Sequence, residues 1–235
     1  MSTTVVIRPG ETDFDLEERI QGSLDIPLNS RGQVQVEEVI EQLRTAPPDV
    51  IYCSPSEPSL STAQALGDAL GVSVKKLEGL ENLDLGLWQG MLLDDLRRKH
   101  PRVFKQWQDS PRSVCPPEGE TCEEAFKRVS KALRKPMKRK ADFAVVASEP
   151  LASMVTCVLR GTELRLLGPV CGCEDAQRVE FIGAGAVADG ESPQNGSTVA
   201  DPVGRTPTNG RLVQEVQHEL SRASEFNHRS GAAHA

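Results

Sequence analysis

The sequence predicts an α/β protein, specifically a three-layer α/β/α sandwich built around a mostly parallel sheet. Short apolar runs such as TTVVIR and FAVVAS have the composition of buried strands. They alternate with longer segments whose apolar residues recur at helical spacing, and several of these segments carry helix-capping residues. Strands that alternate with helices in this way typically form a sheet covered by helices on both faces.

The first half of the chain contains three predicted strands and two predicted helices. After TTVVIR, the segment NSRGQVQVEEVIEQLRT has helical periodicity, and Ser30 with Gln33 fits a capping box at its start. PPDVIYCS is the second strand. SEPSLSTAQALGDALG is the next helix, with Pro58 in its first turn and Gly71 as its end. VSVKK then begins a third strand.

The second half continues the alternation. LLDDLRRKHPRVFKQWQDS is helical with an interruption at Pro101, and Thr121 with Glu124 forms a capping box that starts the next helix. FAVVAS is a buried strand followed by the helix PLASMVTCVLRG, and RVEFI is the last predicted strand. These elements place one domain over residues 1–182.

Composition changes after this domain. From residue 183 to about residue 209 the chain is rich in Gly, Ser, Pro, Asn, Asp and Ala. This composition predicts a flexible, largely disordered C-terminal tail over residues 183–235. A short amphipathic stretch at 211–222 either forms a helix, docked on the domain or on a partner, or stays disordered, because alone it is too short for a stable helix.

Charge and composition exclude several functions. The net charge of −7 and the aromatic content of 4% argue against nucleic-acid or anionic-membrane binding. No apolar run approaches the length of a membrane span, and the N-terminus has no secretory signal, so we expect a cytoplasmic protein. The six cysteines are scattered, which favours reduced thiols over disulfides or a metal site. No cofactor and no metal are predicted.

The order of motifs resembles the histidine phosphatase superfamily, the phosphoglycerate mutase-like proteins. Members of that family show R-H-G-E-T, R-I-Q-G, D-x-P-L, a strand followed by S-P and a helix, G-x-W-E-G, P-x-G-E-S/T and a late strand ending in S-H-G. The matching segments, which span about residues 3–182, are RPGET, RIQG, DIPLNSRGQVQ, YCSPSEPSLSTAQAL, GLWQG, PPEGET and VVASEP.

The resemblance implies covalent phosphoryl transfer. In the family a histidine attacks phosphorus, two arginines and a second histidine hold the phosphoryl oxygens, and a carboxylate protonates the leaving oxygen. In this sequence the first arginine is retained as Arg8. The nucleophile position is Pro9, the second arginine position is Pro58, the acid position is Asn82 and the second histidine position is Glu149.

The histidines of this chain do not compensate for these changes. The four are His100, His218, His228 and His234, and none lies near the ends of the predicted strands that would form the site. Glu81 neighbours the acid position but points elsewhere if that segment is extended. The resemblance therefore implies a family fold without phosphohistidine chemistry.

A pocket at the carboxyl ends of the strands remains the candidate site. We expect it to be lined by Arg8, Glu11, Arg19, Asn82 and Glu149. Arg8 and Glu149 should pair with each other, because each would otherwise be a partly buried lone charge. A carboxylate at this position would also repel a bound phosphate.

Two functions are compatible with these residues. The first is a catalytically inactive pseudophosphatase that binds an unidentified small molecule or protein partner, and the residues favour this absence of catalysis. The second is a divergent hydrolase or phosphomonoesterase that uses a non-histidine mechanism at the same pocket. Its candidate acids, bases and nucleophiles are Glu11, Asp15, Cys53 and Glu149, although no nucleophile–base–orienter set is apparent among them.

Overall fold

The computed structural model describes residues 3–109, 115–164 and 178–182. The chain divides into two units, Met1–Asp189 and Gly190–Ala235, and every described residue belongs to the first. The predicted C-terminal tail and its helical stretch at 211–222 lie outside the described residues and stay predictions. In chain order the elements are β1 (Thr4–Ile7), α1 (Asp13–Leu16), α2 (Ser30–Leu43), β2 (Val50–Cys53), α3 (Ser59–Leu70), β3 (Ser73–Lys76), a 3-10 turn (Gly86–Trp88), α4 (Leu93–Lys99), α5 (Pro101–Asp109), α6 (Cys122–Lys138), β4 (Phe143–Val146), α7 (Leu151–Arg160) and β5 (Val179–Ile182).

The five strands form one sheet in the order β3-β2-β4-β1-β5. β4 is parallel to both β1 and β2, and β2 is parallel to β3, whereas β5 is antiparallel to β1. The prediction of a mostly parallel sheet is confirmed. Ile7 and Cys53 are both in register with Val146, so the residues that follow β1, β2 and β4 meet at one edge of the sheet. The candidate functional residues lie at this edge.

Helices cover both faces of the sheet, as the alternating sequence pattern predicts. Val6 and Val145 face a core formed with α6, α7 and the pair Trp88–Trp107. Val5 and Val146 face a second core formed with α2 and α3. Because successive side chains of a strand point to opposite faces, the continuous apolar runs of β1 and β4 supply both cores.

Most of the predicted helix ends are confirmed. The side chain of Thr121 accepts a hydrogen bond from the amide of Glu124, whose carboxylate accepts one from the amide of Thr121, so α6 begins with the predicted capping box. α3 ends at Gly71, which adopts the left-handed conformation with φ of +68°. His100 separates α4 from α5, which begins at Pro101.

Two local details differ from the sequence prediction. The N-cap of α2 is Asn29, whose side chain accepts a hydrogen bond of 2.8 Å from the amide of Gly32, and not Ser30. Serine and asparagine are comparable caps, so the choice between neighbouring residues depends on where the chain turns. The short helix α1 is absent from the sequence prediction; its N-cap is Thr12, which forms a capping box with Asp15.

Among the described residues, none of the helices is both long enough and apolar enough to cross a bilayer. The cytoplasmic location stays a prediction.

Candidate functional site

The predicted pair of Arg8 and Glu149 is present. Arg8 directly follows β1 and Glu149 lies three residues after β4, the neighbouring parallel strand. The Nε atom of Arg8 donates a hydrogen bond of 2.7 Å to Oε1 of Glu149, and the two side chains are 14% and 11% exposed. The positive charge of Arg8 is therefore neutralised by Glu149, the residue at the predicted second-histidine position.

This pair belongs to a larger charge network. Nη1 of Arg8 lies 3.5 Å from Oε2 of Glu180 on β5, and Arg160 at the end of α7 lies 2.8 Å from the other oxygen of Glu180. The hydroxyl of Thr156 donates a hydrogen bond of 3.3 Å to Glu180. Glu180 is not among the predicted site residues, because its contact with Arg8 exists only when β5 pairs with β1.

The second carboxylate oxygen of Glu149 caps α7. Oε2 accepts hydrogen bonds from the amide of Ser153 at 3.2 Å and from its hydroxyl at 2.8 Å. The first amide groups of a helix have no partner within the helix and carry a partial positive charge. Both oxygens of Glu149 are thus held by donors, Oε1 by Arg8 and Oε2 by Ser153.

The segments that join β2 to α3 and β4 to α7 are two corners of the sheet, and in both a glutamate caps the helix that follows. Between β2 and α3, Oε2 of Glu57 accepts hydrogen bonds from the amide and the hydroxyl of Ser61, at 3.2 and 2.5 Å. Both Glu57-Pro58 and Glu149-Pro150 are cis peptide bonds, and the hydroxyls of Ser59 and Ser148 lie 3.3 Å apart. The sequence carries a signal for this similarity, which is absent from the predictions above: both corners read S-E-P-x-x-S.

Pro9, at the nucleophile position, is buried and provides only a backbone carbonyl group. Its oxygen accepts a hydrogen bond of 2.6 Å from Nη1 of Arg178. The next amide, that of Gly10, donates to the hydroxyl of Thr62 on α3 at 3.4 Å. The loop after β1 is therefore held from two sides, and Pro9 offers no nucleophilic side chain.

Asn82, at the acid position, holds two segments together. Its Nδ2 atom donates hydrogen bonds to the carbonyl oxygens of Gly22, at 3.0 Å, and Glu149, at 2.9 Å. Its Oδ1 atom is buried and has no hydrogen-bond partner within the described part of the chain. The neighbouring Glu81 bonds instead to the amide of Gly79, in agreement with the prediction that it points elsewhere.

Two of the five predicted pocket residues, Glu11 and Arg19, contact neighbouring loops. Glu11 accepts a hydrogen bond from Asn29 at 2.9 Å and lies 3.4 Å from Arg31, so it binds to the start of α2. Arg19 donates to the carbonyl of Gly90 at 2.9 Å, which ties RIQG to GLWQG. Direct hydrogen bonds thus bring together Arg8, Asn82 and Glu149, whereas Glu11 and Arg19 hold loops around them.

The other candidate groups have structural surroundings. Burial raises the pKa of the Cys53 thiol to about 11, which leaves little of the nucleophilic thiolate at neutral pH. Asp15 accepts hydrogen bonds from the amide and hydroxyl of Thr12. His100 is exposed between α4 and α5, and the other three histidines lie outside the described residues. No group of three or more potential metal ligands occurs in the described ranges.

The amino-acid sequence matches one known family. The model of the histidine phosphatase superfamily, branch 1, matches residues 4–171. Phosphoserine phosphatase 1 of Hydrogenobacter thermophilus is 30% identical over 179 residues, which cover 75% of this chain and 84% of that protein. Glucosyl-3-phosphoglycerate phosphatase of Mycolicibacterium vanbaalenii is 34% identical over 108 residues, which cover 46% of this chain and 48% of that protein.

The fold also matches solved structures. The mycobacterial glucosyl-3-phosphoglycerate phosphatase in complex with VO3 superimposes with a TM-score of 0.65 and 23% sequence identity. The superposition covers 70% of this chain and 83% of that chain. At this level of identity the likeness concerns the fold, and the three-layer architecture predicted from the sequence is confirmed.

Proposed function

Because this chain belongs to the histidine phosphatase superfamily, we propose that it is a pseudophosphatase, which has lost phosphohistidine transfer and binds a small molecule or a protein partner at the altered strand edge. The observation that carries this proposal is the 2.7 Å pair of Arg8 with Glu149 next to Pro9. A site for phosphoryl transfer needs a nucleophile and a surplus of positive charge around the phosphoryl oxygens.

The described residues Pro9, Arg8 and Asn82 argue against this chemistry in three ways. Pro9 contributes a carbonyl oxygen that is already bonded to Arg178. Arg8 is paired with Glu149, so an entering phosphate would meet a carboxylate beside the one retained arginine. Asn82 has no acidic proton to give to a leaving oxygen, and its Nδ2 atom is bonded to two carbonyl groups.

The names of the relatives favour a second candidate, a divergent hydrolase or phosphomonoesterase at the same edge. Its chemistry would need a carboxylate as base or nucleophile, and Glu149 lies 2.7 Å from Arg8, nearer than Glu180 does. Cys53 is a poor candidate because burial raises the pKa of its thiol to about 11. Because the relatives named above are phosphatases, phosphatase activity is the first property to test.

An activity assay separates the two candidates. The purified full-length protein should be incubated with p-nitrophenyl phosphate and with phosphoserine, and trapping of a phosphoenzyme should be attempted with a radiolabelled substrate. Glu149→Gln and Arg8→Gln are the test variants. Glu57→Gln is the matched control, because Glu57 makes the same contacts with its own helix as Glu149 does.

We expect no turnover above background and no phosphoenzyme for the wild-type protein. Turnover that is present in the wild-type protein and in Glu57→Gln, but is lost in Glu149→Gln and Arg8→Gln, would instead establish the hydrolase.

A further inference from the structure

We propose that Glu149 is a tethered anion that takes the place of a bound oxyanion at this edge of the sheet, so that this edge rejects phosphate until the Glu149 side chain is removed. This inference deepens the proposed function and rests on it, because it explains what prevents phosphate-containing ligands from binding. It assigns to Glu149 the role of a specificity-determining residue.

The donors around Glu149 are those that ordinarily bind an oxyanion. Arg8 supplies a guanidinium N–H at 2.7 Å, and Ser153 supplies a backbone N–H at 3.2 Å and a hydroxyl at 2.8 Å. An arginine combined with donors at a helix N-terminus is a common arrangement for phosphate and sulfate binding. Here the carboxylate of the same chain fills it, and the side chain is 11% exposed.

The charges of the network explain why a phosphate cannot simply join this carboxylate. Arg8 and Arg160 face Glu149 and Glu180, so the two positive and two negative side chains balance. A phosphate entering this network would add negative charge beside two carboxylates, which is strongly unfavourable in a partly buried site. Removal of the Glu149 carboxylate leaves one net positive charge and uncovers the Ser153 donors.

The corner at Glu57 is an internal control for this argument. Glu57 caps α3 through Ser61 as Glu149 caps α7 through Ser153. Within the described part of the chain, the ion pairs of the structure include Glu149 but not Glu57. Removal of Glu57 therefore exposes only the start of α3, whereas removal of Glu149 exposes the start of α7 and also leaves Arg8 without its 2.7 Å ion-pair partner.

The test is binding of inorganic phosphate to the full-length protein, measured by isothermal titration calorimetry. Glu149→Ala removes both the charge and the volume of the side chain, Glu149→Gln removes the charge alone, and Glu57→Ala is the control. We expect Glu149→Ala to bind phosphate at least about tenfold more tightly than the wild-type protein, with Glu149→Gln between them. Combining Glu149→Ala with Arg8→Gln should abolish the gain.

Thermal unfolding gives a second readout that remains usable if Glu149→Ala is less stable. Phosphate should raise the melting temperature of Glu149→Ala and leave that of the wild-type protein unchanged, since a ligand that binds only the folded state stabilises it. Equal phosphate affinity in the wild-type protein and Glu149→Ala would overturn the inference. An equal gain in Glu57→Ala, or a gain that survives Arg8→Gln, would overturn it as well.

Failure of this inference is distinguishable from failure of the proposed function. Phosphate binding to the wild-type protein without turnover of p-nitrophenyl phosphate overturns the tethered-anion role and leaves the loss of catalysis intact. Turnover by the wild-type protein without tight phosphate binding overturns the loss of catalysis, while the comparison of Glu149→Ala with Glu57→Ala still decides the role of Glu149.

Discussion

The carbonyl oxygen of Pro9 accepts a hydrogen bond of 2.6 Å from the guanidinium of Arg178. The backbone is joined at the same point, because the amide of Arg8 donates to the carbonyl oxygen of Arg178 at 2.8 Å. Burial lowers the pKa of Arg178, and the carboxylates of Asp15 and Glu11 oppose that shift. Arg178 therefore acts as a clamp that fixes the loop after β1.

Replacing Arg178 by glutamine should destabilise the protein. The Pro9 carbonyl would lose its charged donor, and a hydrogen bond to a charged group contributes about 1.5–3 kcal/mol to stability. We expect the free energy of unfolding, measured by urea denaturation, to fall by about 1–3 kcal/mol. Arg102→Gln on the exposed face of α5 is the control and should leave the midpoint unchanged. Equal effects of the two variants would contradict the role of Arg178 as a clamp.

The pairing of Arg8 with Glu149 should be measurable as a coupling energy. Removing one member of a largely buried pair leaves the other charge without its closest partner, whereas removing both does not. A double-mutant cycle with Arg8→Gln and Glu149→Gln should give a coupling of about 1–3 kcal/mol in urea denaturation. The exposed pair Arg44–Glu41 provides the reference cycle, whose coupling should be indistinguishable from zero. A coupling energy of zero for Arg8 and Glu149 would contradict a contribution of this pair to the free energy of unfolding.

The GLWQG turn should not tolerate a side chain at its first glycine. Gly86 has φ of +49°, and a Cβ atom there would overlap the carbonyl oxygen of Pro117 and lie 2.6 Å from the amide nitrogen of Gly119. Gly71 has a similar φ of +68°, but a Cβ atom there would contact nothing within 4 Å. Both alanine variants share the left-handed strain, so their difference measures the crowding. We expect Gly86→Ala to lower the free energy of unfolding by about 2 kcal/mol more than Gly71→Ala does.

The buried thiols should make stability fall in alkaline solution. Burial raises the pKa of Cys53 from 9.0 to about 11 and that of Cys122 likewise to about 11. The unfolded chain loses these protons from about pH 9, whereas the folded chain keeps them until about pH 11, so the stabilisation present below pH 9 is lost as the pH rises between these values. Each thiol should contribute about 1–2 kcal/mol to this loss.

Urea denaturation at pH 8 and pH 10.5 measures that loss. Cys53→Ala should show a smaller decrease in the free energy of unfolding between the two pH values than the wild-type protein does. An unchanged decrease would contradict the assignment to Cys53. Labelling with iodoacetamide at pH 8, followed by peptide mass spectrometry, should modify the exposed Cys115 before Cys53 and Cys122.

The fold and the prediction that family catalytic positions have changed both follow from the amino-acid sequence alone. Apolar runs such as FAVVAS are buried whatever their neighbours, and helix boundaries such as the Thr121–Glu124 capping box depend on residues only three apart. Which residue stands at a position aligned with a family motif is also read directly from the sequence. Pro9 and Glu149 could therefore be assigned to the predicted nucleophile and second-histidine positions without a structure. The pairing of Arg8 with Glu149 was predictable because two partly buried opposite charges at neighbouring strand ends stabilise each other.

The contacts that position Pro9, Arg8 and Glu11 could not be predicted from the sequence. Arg178 reaches Pro9 across 169 positions of sequence, and Glu180 reaches Arg8 because β5 pairs antiparallel with β1. Glu11 faces the start of α2 because Asn29, and not Ser30, caps that helix and donates to its carboxylate. Such contacts depend on strand order and on the angle at which loops leave the sheet. These properties arise from the packing of the whole chain, and no short pattern of residues encodes them.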